Sequence, residues 1–467
     1  MTETIRETPL SAPTPKPSPA PPRDYRFPHF DRRTLLNGVQ LLVAPVPKLP
    51  LATVLAIVEA GASVEPHGQQ GVAALTARLL LEGAAGMDGA AQADRFERIG
   101  ASVDAHADWD VTTVSLTALS ERLPDALAFV RDLLRWPAFP EREVQRLKEQ
   151  RLANLLQQLA EPRGLADEQF AHAAYHAAAR YAAPEEGDAA SVRALNRMDV
   201  QTFYAARYQP GGTTLIFAGD VTMDAAAALA ESLFGDWKGG RPAPAPNGID
   251  AARPGRLVRV IAKAAAPQSE LRVGHAGLPR TTTDYFDVMV MNAVLGGLFS
   301  SRINLNLREA HGYTYGASSM FDWRRGAGPF VVQTAVKSDV TGAAVLEILN
   351  EIERMRTVPI SEDELTLATS YLDGVFPIRY ETTAAIASAL ENLVVHGLPE
   401  DYYDVYRSKV RAVTTDSVLR AAQQHLHPEQ LRIIVVGDPD VIAVPVAAVT
   451  GMAPEIVAAG DGGEVAA

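Results

Sequence analysis

The chain has 467 residues, 47% hydrophobic and 21% charged, and its 43 Lys plus Arg against 56 Asp plus Glu give a net charge of -13. At roughly 150 residues per domain, that length predicts two to four domains with sizeable cores, and the composition excludes a minidomain and wholesale disorder. The acidic balance argues against nucleic acid and anionic membranes as partners. The absence of cysteine excludes disulfides, thiolate metal sites and a cysteine nucleophile, so a metal would need His and carboxylate ligands.

In chain order, residues 1–28 read as a disordered, Pro-rich arm: 11–22 are dense in Pro, Ser and Thr and fit an extended, solvated segment. No apolar h-region of a secretory signal occurs there, and no stretch reads as the roughly 18 strongly apolar residues of a membrane-spanning helix. The expectation is a soluble, cytoplasmic chain. Residues 35–45, 52–60 and 101–116 read as strands, and 71–83 as the first strong helix, with Val72, Leu75 and Leu79 as its core stripe.

An internal repeat then organises the chain. Phe139-Pro140-Glu141 opens a helix, and Ile360-Ser361-Glu362 opens another about 220 residues later. Met198-Asp199-Val200 leads through a helix into TTLIFAGD, and Thr415-Asp416-Ser417 leads into LRIIVVGD at nearly the same offset. Helix-start chemistry followed by an apolar run of strand character, in the same order twice, implies two copies of one unit. Strand-like runs at 270–276, 315–321 and 329–336 belong to the second copy. The expected fold is α+β rather than Rossmann: two homologous repeats, each a mixed β-sheet covered by helices. The expected domains are 29–238 and 257–450, with a Gly/Pro-rich linker over 239–256 and a frayed tail over 451–467.

Several residues could carry chemistry. His172 and His176, spaced i, i+4, would share one helix face as zinc ligands do, but no Glu lies between them and no third ligand is near, so they read as a structural pair. Asp104, His106, Asp108 and Asp110 have period two and would share one strand face, as a solvated surface or as an acidic wall. The segment LGGLFSSRINLNLREAHGYTYGASS (295–319) breaks a helix at Gly296-Gly297, offers Ser300-Ser301 as a cap for the next, and ends that one at Gly312 before a strand near Thr314. Read alone, Arg308 would cap a helix C-terminus, with Tyr313 and Tyr315 as strand aromatics.

From about residue 32 to 437 the sequence resembles the zinc peptidases of the pitrilysin, insulinase and mitochondrial processing peptidase type. The resemblance rests on Gly71-Val72-Ala73 opening the first helix, on Glu161-Pro162 after a later one, and on the LGG, SSR and REAHGYTYG runs. It implies two α+β domains facing each other across a cleft. Its metal motif H-x-x-E-H falls at Ala74, Ala77 and Arg78, and its third ligand at Asn154; none of these can serve, so the chain itself is expected to hold no zinc. Residues 295–319 resemble the C-terminal repeat of the bacterial two-subunit forms of the family: one subunit carries the metal helix, and the other carries an Arg and a Tyr seven residues apart, here Arg308 and Tyr315.

The resemblance thus implies a non-catalytic subunit of a heterodimeric zinc metallopeptidase, inactive alone. It would close a chamber over an unfolded peptide and act at the zinc of a homologous H-x-x-E-H partner. Tyr315 would stabilise the developing oxyanion and Arg308 would hold the substrate backbone, with Tyr313 a competitor for the phenol role. The strand with Asp104, His106 and Asp108 would border the substrate cleft and favour basic peptides. The alternative is a structural or assembly subunit of a larger complex with no part in proteolysis.

Overall fold

The structure is a computed structural model, and it describes residues 24–459. The first half supplies β1 (Asp31–Thr34), β2 (Gln40–Pro45), β3 (Leu51–Val58), the two-residue strands β4 (Gly83–Ala84) and β5 (Met87–Asp88), β6 (Ser102–Ala107), β7 (Thr112–Leu119) and β8 (Thr213–Gly219). The second half supplies β9 (Leu257–Ala262), β10 (Gln268–Ala276), β11 (Ala317–Phe321), β12 (Pro329–Lys337), β13 (Arg432–Gly437) and β14 (Glu455–Ala458). One six-stranded sheet runs β1-β2-β8-β3-β7-β6 and the other β14-β9-β13-β10-β12-β11, while β4 and β5 pair separately. Strand for strand, five positions correspond in order and sense: β2 is parallel to β8 as β9 is to β13, and the remaining inner pairs are antiparallel in both sheets. The sixth differs, since β1 is antiparallel to β2 whereas β14 is parallel to β9. Two homologous α+β units are therefore present, each a mixed sheet covered by helices.

Sequence character follows depth in the sheet. The inner strands β8 and β13 are fully buried, which is why they read as continuous apolar runs. The edge strand β6 alternates, with only Ala105 buried. Covering the inner strands takes a reciprocal exchange. Helix Pro162–Ala174 of the first half lays Leu165, Phe170 and Ala173 on Ile261, Ile434 and Val436 of the second sheet. Helix Thr383–His396 of the second half packs Ile386, Leu390 and Leu393 into a core with Leu55, Ile57 and Ile216 of the first. At roughly 1.5–3 kcal/mol for each large apolar side chain buried, neither sheet completes its core without the other half.

Five expectations need correction. Residues 101–116 are not one strand but the β6–β7 hairpin, because Asp108 folds the chain back by accepting hydrogen bonds from the Asp110 and Val111 amides at 2.7 and 2.8 Å. The tail is not frayed throughout, since Glu455–Ala458 pairs with β9 as β14. Within the expected arm, Phe27 is buried and stacks on Tyr403 at 4.5 Å, and the Tyr25 hydroxyl donates to the Tyr380 carbonyl; residues 1–23 lie outside the described chain. The helical run 285–310 is long and apolar enough, by length and composition, to cross a membrane, yet 61% of its apolar window is buried inside the protein, as in a core helix. Finally, the helix carrying His172 ends at Ala174, so His176 lies beyond it and the two imidazoles do not share a helix face.

Candidate functional site

Helix Val72–Leu79 starts at Gly71, whose φ of 94° is a left-handed conformation suited to glycine. Its first amides are held from outside: the Glu65 carboxylate accepts from Gly71 N at 3.0 Å and Ala73 N at 2.9 Å, and Arg180 Nε donates to the same side chain at 2.9 Å. Val72, Leu75 and Leu79 enter the core as expected, and Ala74 and Ala77 are buried beside them. Around Ala74 and Arg78 only about 20 Å³ of cavity remains, room for one water molecule.

Charge already fills this place. Arg78 Nη2 donates to Glu186 Oε1 at 2.9 Å, and Arg151 Nη1 lies 3.0 Å from Glu186 Oε2. Arg151 comes from helix Glu141–Ala160, and burial lowers its pKa. Asn154, three residues further along that helix, is exposed. Ala74, Ala77, Arg78 and Asn154 thus offer no carboxylate or imidazole donor, and two guanidiniums flank Glu186, the acid that lines the same small cavity. A divalent cation does not fit there. Among the described residues no group of three or more His, Cys, Asp or Glu could hold a metal ion. Sequence reasoning missed Glu186 and Arg151, since the Arg78–Glu186 pair spans 108 residues and leaves no local pattern.

In the second half, Asn292 is followed by a π-helical turn, Ala293–Gly297, and Asn304 by another, Leu305–Ala310. Such turns add a residue to the helical circuit and redirect the side chains that follow. Ser301 occupies the N-cap position of the short helix Arg302–Asn304 but makes no side-chain cap bond. Arg308 lies in the second π turn, half exposed, with its guanidinium centre 4.6 Å from the Phe299 ring and Nε 3.5 Å from Glu309. Tyr315 is not on a strand, because β11 begins only at Ala317. It sits on a tight turn in which Thr314 Oγ1 accepts from Gly316 N at 3.0 Å, and its side chain stands 93% exposed. Tyr313 is half buried and stacks on His311 at 4.9 Å.

A third residue missed from sequence, Asn304, ties these loops together. It is buried, its Nδ2 donates to the Phe299 carbonyl at 2.6 Å, and its Oδ1 accepts from Ala317 N at 3.0 Å. Phe299 and Tyr315 both border an open cavity of about 660 Å³, floored by Gln333 and Thr334 of β12.

The acidic set divides. Asp104 Oδ2 and His106 Nδ1 lie 3.1 Å apart, both exposed on edge strand β6. Asp108 belongs to the turn beyond the strand, and Asp110 is buried with Oδ2 accepting from Arg325 N at 2.9 Å. The four residues therefore do not share one strand face. Burial raises the Asp110 carboxyl to about 6.

Two family models match the chain: insulinase (peptidase family M16) over residues 44–184, and the peptidase M16 inactive domain over 194–372. An uncharacterized zinc protease of Rickettsia felis is 23% identical over 357 residues, covering 76% of this chain and 85% of that protein. A protein of Helicobacter pylori described as the non-peptidase homolog YmxG is 21% identical over 401 residues, covering 84% and 90%. Among solved structures, a peptidase M16 inactive domain from Pseudomonas fluorescens superposes with a TM-score of 0.82 at 26% identity, over 88% of this chain and 98% of that one.

Proposed function

Because the chain belongs to the insulinase-type peptidase family M16 and is a non-catalytic member of it, we propose that it closes a peptide chamber against a homologous, zinc-bearing H-x-x-E-H subunit and supplies Arg308 and Tyr315 to that subunit's site. The observation that carries this reading is a contrast within one chain. The helix Val72–Leu79 is closed by the Arg78–Glu186–Arg151 cluster, whereas Tyr315 is almost wholly exposed on a turn held by internal hydrogen bonds.

The partner's zinc would supply water activation; this chain would supply positioning and charge stabilisation. Attack on a peptide carbonyl develops negative charge on oxygen, and a phenol fixed near that oxygen stabilises the transition state more than the ground state. Arg308, resting on Phe299 and so limited in its sweep, offers a fork of donors for a neighbouring peptide carbonyl. On the first half, Asp104 and His106 on the edge strand β6 would meet an extended peptide, with Asp108 at the strand's end.

The test is reconstitution. This chain and an H-x-x-E-H homologue from the same source, each purified alone and then mixed, should cleave an unfolded peptide only as the mixture. Co-elution on gel filtration without any gain in cleavage would favour the structural-subunit alternative.

A further inference from the structure

Two backbone bonds, from Gly312 N to the Arg308 carbonyl at 3.2 Å and from Tyr313 N to the Leu307 carbonyl at 2.8 Å, fix the chain from the second π turn as far as Tyr313. Past that point the turn carrying Tyr315 is held by side chains of two other elements. Asn304, 3% exposed, accepts from Ala317 N at 3.0 Å through Oδ1 and donates from Nδ2 to the Phe299 carbonyl at 2.6 Å. Thr334 of β12, 4% exposed, is the cross-strand partner of Ala317, and its Oγ1 lies 3.0 Å from both Thr314 Oγ1 and the Gly316 carbonyl.

The two anchors differ in reach. Among the described residues the Thr334 hydroxyl bonds only to the Tyr315 turn. The Asn304 amide bonds to that turn and also to Phe299, on whose ring the Arg308 guanidinium rests at 4.6 Å. Both ends of this amide are in use and shut from water, so losing it strands a backbone amide on one side and a backbone carbonyl on the other.

We propose that Asn304 is a positioning residue that holds Arg308 and Tyr315 at one spacing, by joining the platform of the guanidinium to the turn of the phenol, whereas Thr334 steadies the phenol alone. That the two groups act on a bound peptide rests on the function proposed above; the bridge between them does not. Arg308 would hold the substrate backbone already in the ground state, and Tyr315 only the developing oxyanion. Loss of Thr334 should therefore weaken turnover, and loss of Asn304 should weaken turnover and binding together.

The test begins with the full chain alone, in hydrogen exchange read by mass spectrometry over residues 298–302 and 313–319. Thr334→Val should speed exchange over 313–319 by about tenfold, the factor expected from one lost hydrogen bond, and leave 298–302 unchanged. Asn304→Leu should speed both. Asn304→Asp keeps the native shape and guards against a leucine variant that does not fold. Its carboxyl, raised by burial, replaces the amide when protonated and loses the bond to Phe299 when ionised. Relative to wild type at the same pH, 298–302 should then be unchanged at pH 5 and about tenfold faster at pH 8, with 313–319 held at both. In the reconstituted complex, Thr334→Val should lower kcat about tenfold with KM within about twofold, and Asn304→Leu should lower kcat and raise KM, each about tenfold.

Unchanged exchange over 298–302 in Asn304→Asp at pH 8, or loosening of that segment by Thr334→Val as large as by Asn304→Leu, overturns the proposal. The two readings fail separately: the expected exchange pattern with no cleavage by the mixture counts against the proposed function, and cleavage with KM unmoved by a folded Asn304→Leu variant counts against the bridge.

Discussion

Arg78 Nη2 donates to Glu186 Oε1 across 2.9 Å, a contact made from the helix on which the resemblance would put the motif H-x-x-E-H. Arg151 shares the same carboxylate, so the acid is neutralised twice and the cluster keeps a net positive charge.

The first prediction follows from that cluster. The chain purified from zinc-containing medium should hold no stoichiometric zinc by elemental analysis. Replacing Ala74→His, Ala77→Glu, Arg78→His and Asn154→Glu together should give a weak zinc site, and adding Arg151→Ala should tighten it by removing a fixed cation beside the metal. Equal zinc affinity of the two variants by calorimetry would show that Arg151 does not oppose the metal.

The second concerns the start of the same helix. The Glu65 side chain is wholly buried with the Arg180 guanidinium against it, and removing one partner of such a pair strands the other charge. Arg180→Met should cost roughly 3–5 kcal/mol in urea unfolding. A cost under 1 kcal/mol would mean that the two helix amides held by Glu65 suffice without the arginine.

Much of the architecture was legible because it repeats local signals. The Ser361–Glu364 capping box and the apolar runs of β8 and β13 mark elements wherever they occur. The exchange of helices Pro162–Ala174 and Thr383–His396 was not legible, since an amphipathic stripe shows that a helix is covered but not by which sheet. The same limit hid Glu186 from Arg78, and Asn304 from the loop of Tyr315. At Asp108 the reading failed for a different reason. A period of two continued through a turn whose signal was present, an Asp accepting from amides two and three residues ahead.

The third prediction is a pH dependence. Burial raises Asp110 from the usual 3.8 to about 6, and Glu185 from 4.5 to about 7. Between those limits these two groups bind more protons in the folded chain than in the unfolded one, so their contribution to the unfolding free energy falls as pH rises from about 4 to 7, against the rise that buried His275 and His396, both lowered to about 4, supply over the same range. At full value the two shifts amount to roughly 6 kcal/mol, and Asp110→Asn combined with Glu185→Gln should remove that share, so the variant should gain stability relative to wild type as pH rises. Thermal unfolding at pH 5 and pH 7.5 measures this; a melting temperature that rises across the window equally in wild type and double variant would contradict it.

The most direct test of the donated pair is turnover by the reconstituted complex carrying Tyr315→Phe. The substitution removes one exposed oxygen, so folding and assembly should be unchanged by circular dichroism and gel filtration. Turnover of an unfolded peptide should fall by roughly 10²–10³, the usual loss for one oxyanion donor. Arg308→Ala, measured alongside, should raise the apparent substrate constant as well as lower turnover, because its donors act on the ground-state backbone too. An assembled Tyr315→Phe complex that cleaves at the wild-type rate would contradict the account.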